Sequence, residues 1–115
     1  MSDQTPLLKP FPDGLAPEQW ESILKDHAEV VVLLWTDWCA SCGHQRPLFD
    51  KLAGEFPNIC FVSVNLGKSR WIQVRTQVAG VPTYLFFRNG AQIFRATGDF
   101  SAFLLVSKIQ EKFLT

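Results

Sequence analysis

The chain has 115 residues, 47% of them hydrophobic, and its 11 Lys and Arg residues balance 11 Asp and Glu. A chain of this length removes roughly 65% of its unfolded surface from water, enough for one core and too little for a second domain. Zero net charge, with basic residues scattered singly, gives no long-range pull toward phosphate backbones or acidic membranes, so neither nucleic acid nor membrane is an expected partner.

The first fifteen residues carry Pro6, Pro10 and Pro12, which donate no ladder hydrogen bond. Residues 1–15 therefore read as a proline-rich lead-in that forms at most an edge strand, and the folded domain is expected over 16–115. The opening MSDQTPLLKPFPDG lacks the positive stretch and apolar core of a secretory signal, so the expected location is the cytoplasm. Pro17 suits a first helical position, and Trp20, Ile23 and Leu24 recur at helical spacing to about Asp26. Residues 30–35, VVVLLW, form an unbroken apolar run typical of a strand buried on both faces, and the run is far shorter than the roughly 20 residues that cross a bilayer.

Over residues 38–56 the pattern turns helical after the cysteines, with Leu48, Phe49, Leu52 and Phe56 as the apolar stripe and Pro47 as a kink. Residues 59–65 read as another buried strand, and 69–77 as a helix anchored by Trp71, Ile72 and Val74. Asn89-Gly90, a dipeptide suited to the positive φ angles of a two-residue hairpin, joins strands 83–88 and 91–96. Phe103, Leu104, Val106, Ile109 and Phe113 mark a terminal amphipathic helix. From residue 30 onward the order is βαβαββα, an α/β fold with a small mixed sheet of four to five strands between about four helices.

Three cysteines, Cys39, Cys42 and Cys60, cannot pair completely and are too few for a disulfide scaffold. Cys39 and Cys42 stand three apart where a buried strand hands over to a helix. That spacing puts both sulfurs on one side and close enough to bond. Cys39 also sits where free amides and the helix dipole favour a thiolate, making it the expected nucleophile, with Cys42 as the resolving thiol of a dithiol–disulfide exchange. The competing reading is half of a zinc site, but the further ligands are badly placed: His44 is two residues past Cys42, His27 ends the first helix, and Cys60 lies in an apolar run. No metal is expected, and Cys60 reads as a small buried hydrophobe. His44 and Arg46 read as solvated helix residues, Asp37 and Asp99 as surface carboxylates, and Trp71 as either core or partner-facing.

The segment Trp35-Thr36-Asp37-Trp38-Cys39-Ala40-Ser41-Cys42, the helix-kinking Pro47, the loop Gly80-Val81-Pro82-Thr83, and Asn89-Gly90 with Gly98 together resemble the thioredoxin family. The resemblance runs from about residue 17 to the C-terminus and implies a thioredoxin fold, a redox disulfide between Cys39 and Cys42, and a cis Pro82 facing them. It also implies a shallow client groove formed by Trp38, Ala40, Ser41, Val81, Pro82 and Gly98, with Leu66 at its margin, where the Val81 backbone pairs with an extended client. The implied activity is reduction of protein disulfides by a monomer that binds no cofactor and draws electrons from an NADPH-dependent flavoprotein reductase. Two positions depart from the family pattern: Leu33 replaces a buried aspartate and Ser63 a lysine often paired with it. Ala40-Ser41 also replaces Gly-Pro between the cysteines. These departures support an alternative, a binding module or assembly chaperone that uses the groove with little turnover. A glutaredoxin is disfavoured, since its proline-aromatic pair between the cysteines is absent.

Overall fold

The structure is a computed structural model that describes residues 7–114; residues 1–6, including Pro6 of the expected lead-in, and Thr115 lie outside the described residues. The elements are β1 (Leu8–Phe11), α1 (Pro17–Asp26), β2 (Glu29–Trp35), α2 (Cys42–Glu55), β3 (Cys60–Asn65), a 3-10 turn (Leu66–Lys68), α3 (Arg70–Thr76), β4 (Thr83–Arg88), β5 (Ala91–Thr97) and α4 (Ala102–Phe113). The five strands lie in the order β1-β3-β2-β4-β5, with β1, β3 and β2 parallel and β4 and β5 antiparallel additions.

β2 is central because both its faces are covered. Side chains alternate across a strand. Val31, Leu33 and Trp35 join Phe49 and Leu52 of α2 and Leu105, Ile109 and Phe113 of α4 on one face. Val30, Val32 and Leu34 join Trp20 of α1 and Ile72 of α3 on the other. Each such side chain, fully buried, contributes roughly 1.5–3 kcal/mol relative to exposure, so the VVVLLW run ties both layers to the sheet. In register, Leu33 stands beside Ser63 on β3 and Tyr84 on β4.

Several expectations are refined. β1 pairs with β3 through Leu8↔Phe61 to Phe11↔Val64, with Pro10 on the sheet edge where its missing amide is tolerated. β5 runs one residue further, to Thr97, and its faces are largely solvated. The hairpin at Asn89 (φ 51°) and Gly90 (φ 83°) has the two positive φ angles that the dipeptide implied. In α4 the buried stripe is Leu105, Ile109 and Phe113, at spacing i, i+4, i+8, while Phe103 and Leu104 point outward. The expected stripe of Phe103, Leu104, Val106, Ile109 and Phe113 is thus corrected at its start, where Leu105 is the residue turned to the sheet. Trp71 packs edge-on against Trp20 and donates its indole N–H to the Leu15 carbonyl at 2.9 Å, which makes it part of the α1–α3 packing.

Candidate active site

β2 stops at Trp35, and a short loop carries Thr36, Asp37, Trp38 and Cys39 to the start of α2. The helix opens at Cys42 itself, so Cys39 lies just outside it and the two cysteines span the entering turn. Within that turn the Gly43 amide donates to the Ala40 carbonyl and the Cys39 amide to Thr36. The Cα atoms of Cys39 and Cys42 are 5.3 Å apart and the sulfurs are joined in a disulfide. Exposure separates them: Cys42 is 1% exposed, whereas Cys39 is half-buried and open to an approaching thiol or disulfide. Two groups reach the Cys39 sulfur. The Cys42 amide donates to it at 3.2 Å, and the Ser41 hydroxyl lies 3.6 Å away.

The second loop presents Gly80-Val81-Pro82, whose Val81–Pro82 peptide is cis. The Gly98 amide donates to the Pro82 carbonyl at 2.8 Å, with Gly98 at φ +114°, a conformation that side chains disfavour. Thr83, fully buried, holds the loop through its hydroxyl to the Gly80 carbonyl at 2.6 Å and to Thr97 at 2.8 Å. Of the sequence-expected groove residues, Trp38, Val81 and Leu66 line one cleft of about 560 Å³. Gly98 is bonded to Pro82, Ser41 lies against the Cys39 sulfur, and Ala40 is exposed on the turn between the cysteines.

Two further residues hold these loops, and neither stands out in the sequence. Asn65, 2% exposed at the end of β3, donates to the Asp37 carboxylate and the Pro12 carbonyl, both at 3.1 Å, and accepts from the Gly67 amide. An Asn followed two residues later by Gly is the local signal of such an Asx turn. Gln45, one turn into α2, donates to the Phe100 carbonyl and accepts from the Phe100 amide and from the Tyr84 hydroxyl. It thereby ties α2, β4 and the loop after Gly98 together. Arg46 is not simply solvated: its guanidinium lies 3.6 Å from the Trp35 ring centroid. Burial raises the pKa of the nearby Asp50 carboxyl, and the Arg46 charge offsets that rise only in part.

Residues 13–111 match the family model described as Thioredoxin. The chain belongs to the thioredoxin family. Thioredoxin-3 of Dictyostelium discoideum is 36% identical over 72 residues, covering 63% of this chain and 69% of that protein. The Mycoplasma genitalium thioredoxin is 35% identical over 81 residues, covering 70% and 79%. Thioredoxin-like protein 1 of Schizosaccharomyces pombe is 35% identical over 83 residues, covering 70% of this chain and 29% of that longer protein. Among solved structures, thioredoxin from Trypanosoma brucei brucei superposes with a TM-score of 0.84 at 22% identity, covering 100% and 98% of the two chains. A point mutant of the thioredoxin from Halobacterium salinarum gives 0.81 at 20%, covering 90% and 89%. These neighbours agree with the five-stranded sheet and four helices of this thioredoxin-family fold.

The electrostatics behind the disulfide follow from Leu33. Leu33, Cys42 and Tyr84 share one buried cluster, so the titratable group that this cluster offers is a phenol. Burial first, and then the nearby Asp99 charge, push the Tyr84 hydroxyl far above its usual range. At neutral pH Tyr84 is a hydrogen-bond donor and not a base. Cys60 sits in the cluster on the opposite face of the sheet, where burial, partly offset by Lys9, pushes its thiol up to about 11. Among the described residues no helix is long and apolar enough to cross a membrane, and no three His, Cys, Asp or Glu side chains gather as metal ligands.

Proposed function

We propose that this protein is a thiol–disulfide oxidoreductase that reduces disulfides in client proteins. The observation that carries the reading is the bonded Cys39–Cys42 pair at the start of α2, with one sulfur accessible and the other buried. In the reduced protein, the Cys39 thiolate attacks one sulfur of a client disulfide. A mixed disulfide forms, the client's S–S bond breaks, and the first client thiolate leaves to take a proton from solvent. The Cys42 thiol loses its proton and attacks the Cys39 sulfur, expelling the second client thiolate and leaving the protein oxidised, with Cys39 and Cys42 again bonded. Two electrons thus pass to the client. An external dithiol restores them; in the cell we assign that role to an NADPH-dependent flavoprotein reductase, with no cofactor held by this chain, and place the reaction in the cytoplasm.

Cys39 is assigned as the nucleophile because the Cys42 amide and the Ser41 hydroxyl converge on its sulfur at the positive end of α2. Trp38, Ala40, Ser41, Val81, Pro82 and Gly98 are assigned to the client groove, with the Val81 backbone receiving an extended client segment. With Leu33 and Ser63 in place of a carboxylate and an amine, the Cys42 proton leaves through water or a solvent-facing group, which slows resolution near neutral pH. That absence also favours a second reading, a client-binding module with little turnover.

Insulin reduction with dithiothreitol as donor tests the proposal. Precipitation of the insulin B chain well above the rate of dithiothreitol alone, lost in Cys39→Ser, is the expected result. No acceleration, with both thiols reduced, would leave the binding-module reading in its place.

A further inference from the structure

Four of the five arginines have partners within the fold. Arg46 lies over Trp35, Arg75 pairs with Glu21 at 3.3 Å, Arg88 reaches Glu29 and the carbonyls of Lys112 and Phe113, and Arg95 caps the carbonyls of Thr76 and Gln77. The Arg70 side chain has no ion pair or hydrogen bond among the described residues. It is exposed, it is the first residue of α3, and it stands on the lip of the cleft beside the candidate active site. Packing does not explain a cation at this position. Positive charge at a helix N-terminus is electrostatically unfavourable, though only slightly so in a helix of seven residues.

The cleft is built to hold a chain segment. A side chain at Gly67 would meet the Trp38 ring at 2.9 Å, so the glycine lets the indole lie against the backbone there. Trp38 remains 77% exposed as a broad apolar wall, with Leu66 and Val81 on the same cleft and Gln73 beside Arg70. Arg70 is the one formally charged side chain lining the cleft among the described residues. The neighbouring Asp37 is outside that lining and its carboxylate is engaged by Asn65. Lys68, exposed on the preceding turn, adds charge of the same sign.

We infer that Arg70 is a specificity-determining residue, and that the cleft favours clients carrying Asp or Glu beside the reactive cysteine. The client carboxylate pairs with the Arg70 guanidinium while an adjacent apolar side chain lies on Trp38. The inference rests on the oxidoreductase reading for the reacting cysteine, but it concerns only which segment the cleft seats. In a chain of zero net charge, one unpaired local cation is enough to set such a preference. Its expected size is that of a single solvent-exposed charge pair, up to about fivefold.

The test uses disulfide-linked fluorescent peptides, identical except for Glu or Lys at each position flanking the cysteine, with dithiothreitol as reductant. The wild-type protein should reduce the best Glu peptide about fivefold faster than its Lys counterpart in kcat/KM, with the difference in KM and a shared kcat. Arg70→Gln should abolish the preference, Arg70→Glu should reverse it, and about 0.5 M salt should flatten it. Because Arg70 holds nothing in the fold, Arg70→Gln should unfold at the wild-type denaturant midpoint, separating lost recognition from lost structure. In a second arm the Cys39→Ser/Cys42→Ser double variant, which cannot turn over, is titrated with the same peptides by tryptophan fluorescence. Turnover without preference, equal in wild type and Arg70→Glu, overturns the inference and leaves the oxidoreductase reading standing. No turnover, but tighter binding of the Glu peptide, supports the inference and overturns that reading. No preference in either arm overturns the inference.

Discussion

At the Cys39 sulfur, two donors decide how readily a thiolate is held. The Cys42 amide belongs to the backbone and survives any substitution short of proline, so the Ser41 hydroxyl at 3.6 Å is the adjustable one. A hydrogen bond to the thiolate stabilises the reduced protein and raises its potential. Ser41→Ala should therefore raise the Cys39 pKa and move the potential to a more negative value, by about 20–30 mV. Equilibration against glutathione measures this, and an unchanged or more positive potential contradicts it. Leu33 is the other position where chemistry and packing meet, since it is fully buried in the cluster that holds Cys42. Leu33→Asp should lower stability by about 3 kcal/mol or more, because the carboxylate is desolvated without a partner. It should also quicken the resolving step at pH 7 in single-turnover measurements, by supplying a base. Equal resolution rates in the two proteins would count against a missing proton acceptor. The pair at 39 and 42 was legible in the sequence because its chemistry lies in neighbouring residues. Asn65 and Gln45 were not, because their partners Asp37 and Phe100 stand 28 and 55 residues away along the chain.

At the scale of elements, the site is the meeting of the α2 start, the loop before β4 and the loop after β5, and Gln45 is what fastens them. Its amide serves Tyr84 on β4 and both backbone groups of Phe100, and Phe100 follows the Gly98 that is bonded to Pro82. Gln45→Leu fills the volume but leaves the buried Tyr84 hydroxyl and the half-buried Phe100 backbone groups without these partners. It should cost about 2–4 kcal/mol in urea unfolding, against about 1 kcal/mol for Tyr84→Phe, which leaves the Gln45–Phe100 bonds in place. It should also raise KM for insulin more than it lowers kcat, since the fastening positions the groove and does not touch the sulfurs. Equal KM values in Gln45→Leu and wild type would contradict that role. Element types could be read from periodicity: the apolar run of β2, the Pro17 start of α1 and the Asn89-Gly90 hairpin all follow from local chemistry. The start of the α4 stripe was harder to read, because Phe103, Leu104, Leu105 and Val106 are consecutive; the row that packs on the sheet is the one at i, i+4 and i+8 through Leu105, Ile109 and Phe113.

For the whole molecule, the sheet divides two cores, and each buries one group that resists ionisation: Cys60 on the α1–α3 face and Tyr84 on the α2–α4 face. The folded protein keeps the Cys60 proton up to about pH 11, whereas the unfolded chain begins to release it near 9. The folded state therefore binds more protons across that interval. Its stability is fully present below pH 9 and is lost as pH rises toward 11, with Tyr84 adding loss in the same direction. Urea midpoints from pH 8 to 11 should fall, and Cys60→Ala should fall less steeply; identical slopes would contradict the assignment. A buried, protonated Cys60 also stays out of the redox chemistry, so the oxidoreductase account rests on two thiols with unequal roles. The most direct measurement is intact-mass analysis of Cys42→Ser and Cys39→Ser, each mixed with a disulfide-bearing peptide. The account predicts a stable one-peptide adduct on Cys39 in the first variant and almost none in the second. Equal labelling of both, or adducts on Cys42 or Cys60 alone, would contradict it.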